Sequence, residues 1–266
     1  MIVQTAAPGS DRHFVILQTD HALASAQLAA AFGTAQFAGL QPAEQMLNLI
    51  AHHDEGWAQV DANAELEPES RLPHHLVRTP TRLLLKTGPG APDFNEKKHV
   101  FCGLITSMHT YGLYHGRYGL SDMVFINHIA PELLPDVQRM LQHELDRQAR
   151  LKPQLPEARA DEAFVFNAYK LLQFFDTLAL YVQTNHASGF KEAAFKNVPR
   201  AIGDDVSIMA RPLGDDRIAL APYPFGRDGV EITTRGRYLM PVAAGQSLAT
   251  AMAAAPFETQ TFRMVA

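Results

Sequence analysis

Four stretches of the sequence set imidazoles or carboxylates among apolar residues. Together they carry the groups that bind metals and move protons near neutral pH. The first is His52-His53-Asp54. A His-Asp pair means little by itself, but placement adds weight. At about 100° per helical residue, Met46, Ile50, His53 and Trp57 fall on one face, with Leu47, Ile50 and Asp54 as an adjacent stripe. His52 falls with Gln45, Asn48 and Gly56 on the polar side. A carboxylate on an apolar face is costly unless it is paired or bound to a cation. The plain alternative is a satisfied core histidine beside an acid that caps nearby backbone. Asp176 is the second case. Its helical neighbours are Tyr169, Leu172, Gln173, Ala179, Leu180 and Gln183, a mainly apolar arc. The third is His21, in register with Leu17, Ala24, Ser25 and Leu28, and the fourth is His109, which follows Cys102 and Ile105 on one face. Either histidine alone reads as a packed or hydrogen-bonded side chain rather than a ligand. Jointly, four helices each present an inward imidazole or carboxylate. Mixed nitrogen and oxygen donors suit iron, manganese or zinc, whereas an oxygen-only set would suit magnesium or calcium.

The elements that must position these groups are mostly helical. Phe14-Val15-Ile16-Leu17 reads as a strand or buried run, and Thr19-Asp20 offers an N-cap for a helix from His21 to Phe32, ended by Gly33. A second helix starts near Pro42 and runs towards Trp57. Residues 58–99 are loop-rich, with a helical candidate from Leu76 to Leu85. A third helix begins near Lys98 and breaks in the Gly112 to Gly119 segment. Residues 131–150 have helical periodicity with abundant charge, and Ala163 to Gln183 is the longest apolar helix. Beyond residue 200, Val206 to Arg211, the turn at Leu213-Gly-Asp-Asp and Arg217 to Ala221 predict a hairpin. Gly229 to Thr234 adds a third strand and Ala243 to Ala254 a closing helix.

Composition excludes several classes. Of 266 residues, 47% are hydrophobic and 19% charged, so a folded globular chain is expected rather than a disordered or fibrous one. Twenty-three basic against 28 acidic side chains give a net charge of -5, which offers phosphate backbones no bulk attraction, so nucleic acid is not expected as a partner. No run of about 18 apolar residues is present, so no membrane partner is expected either. A single cysteine in an apolar run, Cys102, and an opening without a basic and apolar leader lead to the expectation of a cytoplasmic protein. Gly33, Gly39, Gly88 and Gly90 form no phosphate-cradling loop, no G-x-S-x-G elbow occurs, and Cys102 reads as inert.

The order His21, His53-Asp54, Asp176 resembles the H…HD…D signature of the HD-domain metal-dependent phosphohydrolase superfamily. More closely, His53-Asp54-Glu55-Gly56-Trp57, Ser107-Met-His109, Asn167 to Asp176 and Ala221-Pro-Tyr-Pro-Phe225 are similar to a bacterial family of unknown function grouped with the HD-like folds. The resemblance spans nearly the whole chain. It implies a mainly α architecture: an HD-like helical bundle over residues 1–200, with a small antiparallel β-rich C-terminal appendage over 201–266, the two packed as separate units or as one. It also implies that His21, His53, Asp54 and Asp176 hold a first divalent transition metal (Fe, Mn or Zn). His109 lies where two-metal members place an extra histidine, and either His115 or His128 is a further ligand. The Gly-Tyr-Pro extension of the cyclic-dinucleotide phosphodiesterases is missing.

The sequence also offers Tyr111, Tyr114, Arg117 and Tyr118, a turn of aromatics with one arginine. Beside a metal, Tyr114 and Arg117 could grip an anionic or planar small-molecule substrate; otherwise this is a connector whose aromatics plug the core. Lys170 reads as a solvated ridge and His74-His75 as surface. The expected activity is that of a metal-dependent hydrolase acting on a small phosphoester or related substrate, with Asp54 and His109 as catalytic groups and one or two ions. Two alternatives use the same residues differently: a di-iron oxygenase of HD type, and a metal-free binding module. The oligomeric state is not legible.

Overall fold

The computed structural model describes residues 1–266. Seven strands build one sheet: β1 (Ile2–Val3), β2 (His13–Ile16), β3 (Ala193–Ala201), β4 (Asp204–Gly214), β5 (Arg217–Ala221), β6 (Val230–Leu239) and β7 (Glu258–Val265). Their spatial order is β1-β2-β6-β7-β5-β4-β3. Neighbours are antiparallel except β5 and β7, which run parallel with Ile218 opposite Met264. Strand β6 shows why such segments pair this way. Val230, Ile232 and Thr234 point inward and are buried, while Glu231 and Arg235 point to solvent, the two-residue alternation of a half-buried sheet.

The helices are α1 (Gln18–Ala31), α2 (Ala43–Ala51), α3 (Ala58–Ala62), α4 (Thr81–Thr87), α5 (Gly90–Lys98), α6 (Val100–Tyr114), the short α7 (Gly116–Gly119), α8 (Leu134–Leu151), α9 (Glu157–Ala160), α10 (Glu162–Thr184) and α11 (Leu248–Ala254). Helix α10 is central, packing on α1, α2, α6 and β3. It starts where the Asp161 carboxylate accepts the Phe164 N–H at 3.0 Å, an N-cap that satisfies one of the helix's open donors. Lys170 ties its middle to β4 through Asp205, with Nζ to Oδ1 at 2.6 Å. It is therefore a buried, paired cation and not the solvated ridge expected from spacing.

The architecture overturns the expected mainly α, HD-like bundle with a small antiparallel appendage. The chain is about 49% helical and 20% strand, and its curled sheet is mixed. Two of the seven strands come from the first 16 residues, β2 pairing with β6 through Val15 and Arg237. One core cluster of 35 buried residues draws on α1, α2, α6 and α10 and on strands β3 to β7 alike. The physical reason is that a strand's partner is not written in its own sequence. Local patterning identified the hairpin β4–β5 and part of β6, but not β3, β7 or the long-range pairings that close the sheet.

Candidate metal centre

The second helix stops earlier than its apolar stripe suggests. It ends at Ala51, so His53 and Asp54 sit in the turn between α2 and a 3-10 turn at Glu55–Trp57. His53 itself helps end the helix, because its Nδ1–H donates to the Ile50 carbonyl at 2.7 Å, one of the carbonyls a helix C-terminus leaves open. Gly56 then lets this turn press against α4 and α5. A Cβ at that position would lie 2.1 Å from the Thr87 carbonyl oxygen and 2.9 Å from the Ala91 nitrogen. The glycine of the His-Asp-Glu-Gly-Trp run is thus a packing requirement that fixes where His53 and Asp54 stand.

His21 from α1, His109 from α6 and Asp176 from α10 meet this turn. Ligand atoms of His21, His53 and Asp176 lie within 4.8 Å of one another, as do those of His53, Asp54 and His109. His21 Nε2 is 3.1 Å from Asp176 Oδ1 and 3.9 Å from Asp54 Oδ2. His53 Nε2 is 3.6 Å from Asp54 Oδ2 and 3.8 Å from Asp176 Oδ1. The His53 ring stands edge-on to both His21 and His109, with centroids 5.3 Å away in each case. All five side chains assigned to metal binding from the sequence are therefore gathered in one place.

Each imidazole is oriented by a partner on its outer nitrogen, the arrangement that presets ligands around a metal. His21 Nδ1–H donates to Gln183 Oε1 at 2.6 Å, and the Gln183 amide in turn donates to the Thr234 hydroxyl at 2.8 Å. His53 uses the Ile50 carbonyl. His109 Nδ1 lies 2.8 Å from the side-chain amide of Gln173, whose Oε1 has no partner as it stands. Turning that amide over gives Oε1 the Nδ1–H and frees the His109 Nε2 lone pair. Gln173 and Gln183 share the helical face of Asp176, but nothing in the sequence distinguishes these second-row partners from ordinary buried amides.

The electrostatics are those of a centre short of positive charge. Burial opposes charge on His21, but its hydrogen bond to Asp176 prevails and raises its pKa. Burial opposes ionisation of Asp176 too, yet the His21 hydrogen bond and the Arg117 guanidinium hold its carboxyl far below the ordinary range. For Asp54 burial wins over the attraction of His53 and His21, so its carboxyl is pushed up. Burial holds His109 down to about 3, which keeps it neutral and fit to coordinate. Most telling is His53 Nε2, fully enclosed and without any hydrogen-bond partner. It stands 3.6 and 3.8 Å from carboxylate oxygens of Asp54 and Asp176, beyond hydrogen-bond reach, and a cation held among these atoms would give it a partner. Three imidazoles and two carboxylates fit a divalent transition metal and mismatch magnesium or calcium.

The centre meets solvent beside Asp54 and Arg117, whose side chains are 14% and 22% exposed. Arg117 Nη2 stands 3.7 Å from Asp176 Oδ2. Tyr114 is elsewhere: it is buried in a satellite core with Ile129, Val137 and Met140, its ring 5.5 Å from that of Phe125. His115 stacks on Tyr111 and reaches its carbonyl, and His128 is an exposed residue of a 3-10 turn, so neither joins the ligand groups. His75, expected on the surface, is partly buried and accepts the Val3 N–H at 2.9 Å. Cys102 is buried, and burial pushes its thiol up to about 11. No helix is long and apolar enough to cross a membrane.

Residues 1–240 match the protein family described as "Protein of unknown function (DUF3891)", and the chain belongs to that family. No curated protein and no solved structure matches it.

Proposed function

We propose that this member of a family of unknown function is a metal-dependent hydrolase, in which His21, His53, Asp54 and Asp176 hold one divalent iron, manganese or zinc ion. The observation that carries the reading is the partnerless His53 Nε2, enclosed between two carboxylates with its other nitrogen locked by Ile50. His53 belongs to both ligand groups, and one imidazole nitrogen can bind one ion, which favours a single ion and weighs against the di-iron alternative. Such an ion supplies Lewis acidity, making water nucleophilic near neutral pH and polarising the group under attack.

The chain's own residues divide the remaining work. Asp54 is the ligand acid nearest solvent, so its free oxygen is the one placed to orient water and take its proton. His109, kept neutral by burial and grouped with His53 and Asp54, braces the same side of the centre. The ligand order matches the HD signature in sequence only. That likeness, and not the architecture, is the support for a small phosphoester or related substrate. The single cysteine fits a reducing, cytoplasmic setting.

Elemental analysis of freshly purified protein beside His53→Ala tests the proposal, together with aerobic and anaerobic turnover of generic phosphoesters. The expected result is about one equivalent of transition metal in the wild type and loss of it in the variant, as removal of one of four ligands implies. Hydrolysis should persist without O₂. If no metal is retained, and alanine at all four ligand positions leaves the melting curve unchanged, the protein is a metal-free module.

A further inference from the structure

The segment that leaves α6 is wound the wrong way for L-residues. Gly116, Arg117, Tyr118 and Gly119 all have positive φ, at 59°, 51°, 56° and 88°. Two consecutive non-glycine residues in this region cost about 1–2 kcal/mol each, and such strain persists where the surroundings hold it. Here it aims the Arg117 side chain back at Asp176. The guanidinium has no hydrogen-bond acceptor of its own; its one charged neighbour is Asp176 Oδ2, at the loose distance of 3.7 Å.

A second donor, from α10, is also left without a partner. The Tyr169 hydroxyl, one helical turn before Gln173 on α10, is fully buried and bonds to nothing. It sits over Gly112 of α6, where a Cβ would come within 2.2 Å of it, so the missing side chain makes its room. The Tyr118 ring stands edge-on to Tyr169, 5.2 Å between centroids, which places the phenol directly behind the strained turn. A buried hydroxyl left unpaired costs about 1–3 kcal/mol. Arg117, held only by its loose ion pair with Asp176, and the unpaired Tyr169 phenol are both donors, and the phenol is close enough to feel the charges of Arg117 and Asp176.

We infer that Arg117 and Tyr169 form an oxyanion-binding subsite beside the metal centre, one that takes a phosphoryl or carboxylate oxygen of the substrate. The inference rests on the hydrolase reading for its place in a reaction, but not for its existence. Arg117 provides the planar, always-charged fork suited to such oxygens, and the phenol adds a neutral hydrogen bond from the buried side. Substrate entering past Arg117 would draw the guanidinium off Asp176.

The test is anion binding to the full chain, loaded with Mn²⁺ in one arm and held in EDTA in the other, with metal content measured in both. Inorganic phosphate and acetate are the probes, followed by calorimetry and by the shift in melting temperature. Wild type should bind one of them saturably, and which one identifies the oxyanion. Tyr169→Phe and Arg117→Met should each weaken that binding by about tenfold or more. Tyr169→Phe should melt no lower than wild type without the anion, because its hydroxyl has no protein partner to lose. Unaltered anion affinity in Tyr169→Phe, or no saturable binding by wild type in either arm, overturns the subsite. A protein that holds no metal but shows the predicted affinities would sink the hydrolase reading and leave the subsite standing.

Discussion

His21 and Gln183 are 162 residues apart, yet they meet side chain to side chain, Nδ1 to Oε1, at 2.6 Å. Because the Gln183 amide nitrogen is committed to Thr234, its oxygen must face the imidazole, and this fixes which nitrogen of His21 looks at Asp176. Gln183→Leu should therefore lower transition-metal affinity about 10–100-fold, the usual effect of losing a ligand's outer partner. Competition against a chromophoric chelator measures it. A folded variant that binds metal as tightly as wild type would show that the tautomer is set by something else.

Gly56 makes a sharper stability prediction. Its backbone touches Thr87 and Ala91 so closely that Gly56→Ala must push two backbones apart, at about 1–3 kcal/mol or more. Gly39→Ala, where nothing lies within 4 Å, is the matched control and should be close to neutral. Denaturant melts of the two variants settle the point. Metal retention should fall in parallel with stability, since the same contact seats His53 and Asp54.

Arg147 stands among three acids, with Nε donating to Glu144 at 3.0 Å and the other nitrogens reaching Glu96 and Asp93. Glu144 is fully enclosed, one of its carboxylate oxygens has no partner, and burial raises its pKa. Arg147→Met should cost about 3–5 kcal/mol, because it strands a buried carboxylate. The double variant Glu144→Met with Arg147→Met should recover most of that loss. With Glu144→Met alone as the second arm, a double variant whose loss equals the sum of the two single losses would mean that the pair is not coupled.

His75, which belongs to neither ligand group, predicts a pH dependence of its own. Burial, chiefly, lowers its pKa to about 4, and its Nδ1 must stay unprotonated to accept the Val3 N–H. The unfolded chain takes up the proton at about pH 6.5. Between those values the unfolded state holds more protons, so stability falls as pH drops from 6.5 to 4 and is level on either side of that window. The contribution is about 1–2 kcal/mol for a partly exposed ring. His75→Asn keeps an acceptor without a titration, and its stability should change less across the same window. A wild-type slope shared by the variant would assign the effect to other groups.

Much of the helical framework was legible because its causes are local. The periodicity of α10 matched to within a residue at each end, and α1, α6 and α8 were placed with small boundary errors. The α2 boundary failed at His52–Trp57, since a tertiary contact at Gly56 and a side-chain bond to Ile50 outweighed the helical pattern there. Helix α5, with its Lys-rich end, and the strands β3 and β7 went unseen.

Residue type and spacing raised His21, His53, Asp54, His109 and Asp176 as candidates, because acids and imidazoles on apolar faces are chemically conspicuous, and the resemblance to the HD signature joined them into one ligand set. Their meeting point, the outer partners Gln183, Gln173 and Ile50, the unpaired Tyr169 and the removal of Tyr114 to a separate core were decided by tertiary structure. So was the sheet, in which β2 finds β6 and β5 finds β7 across long stretches of chain. Helical hydrogen bonds close within four residues and leave a local record. Strand pairing, second-row hydrogen bonds and burial depend on groups brought together only when the core forms.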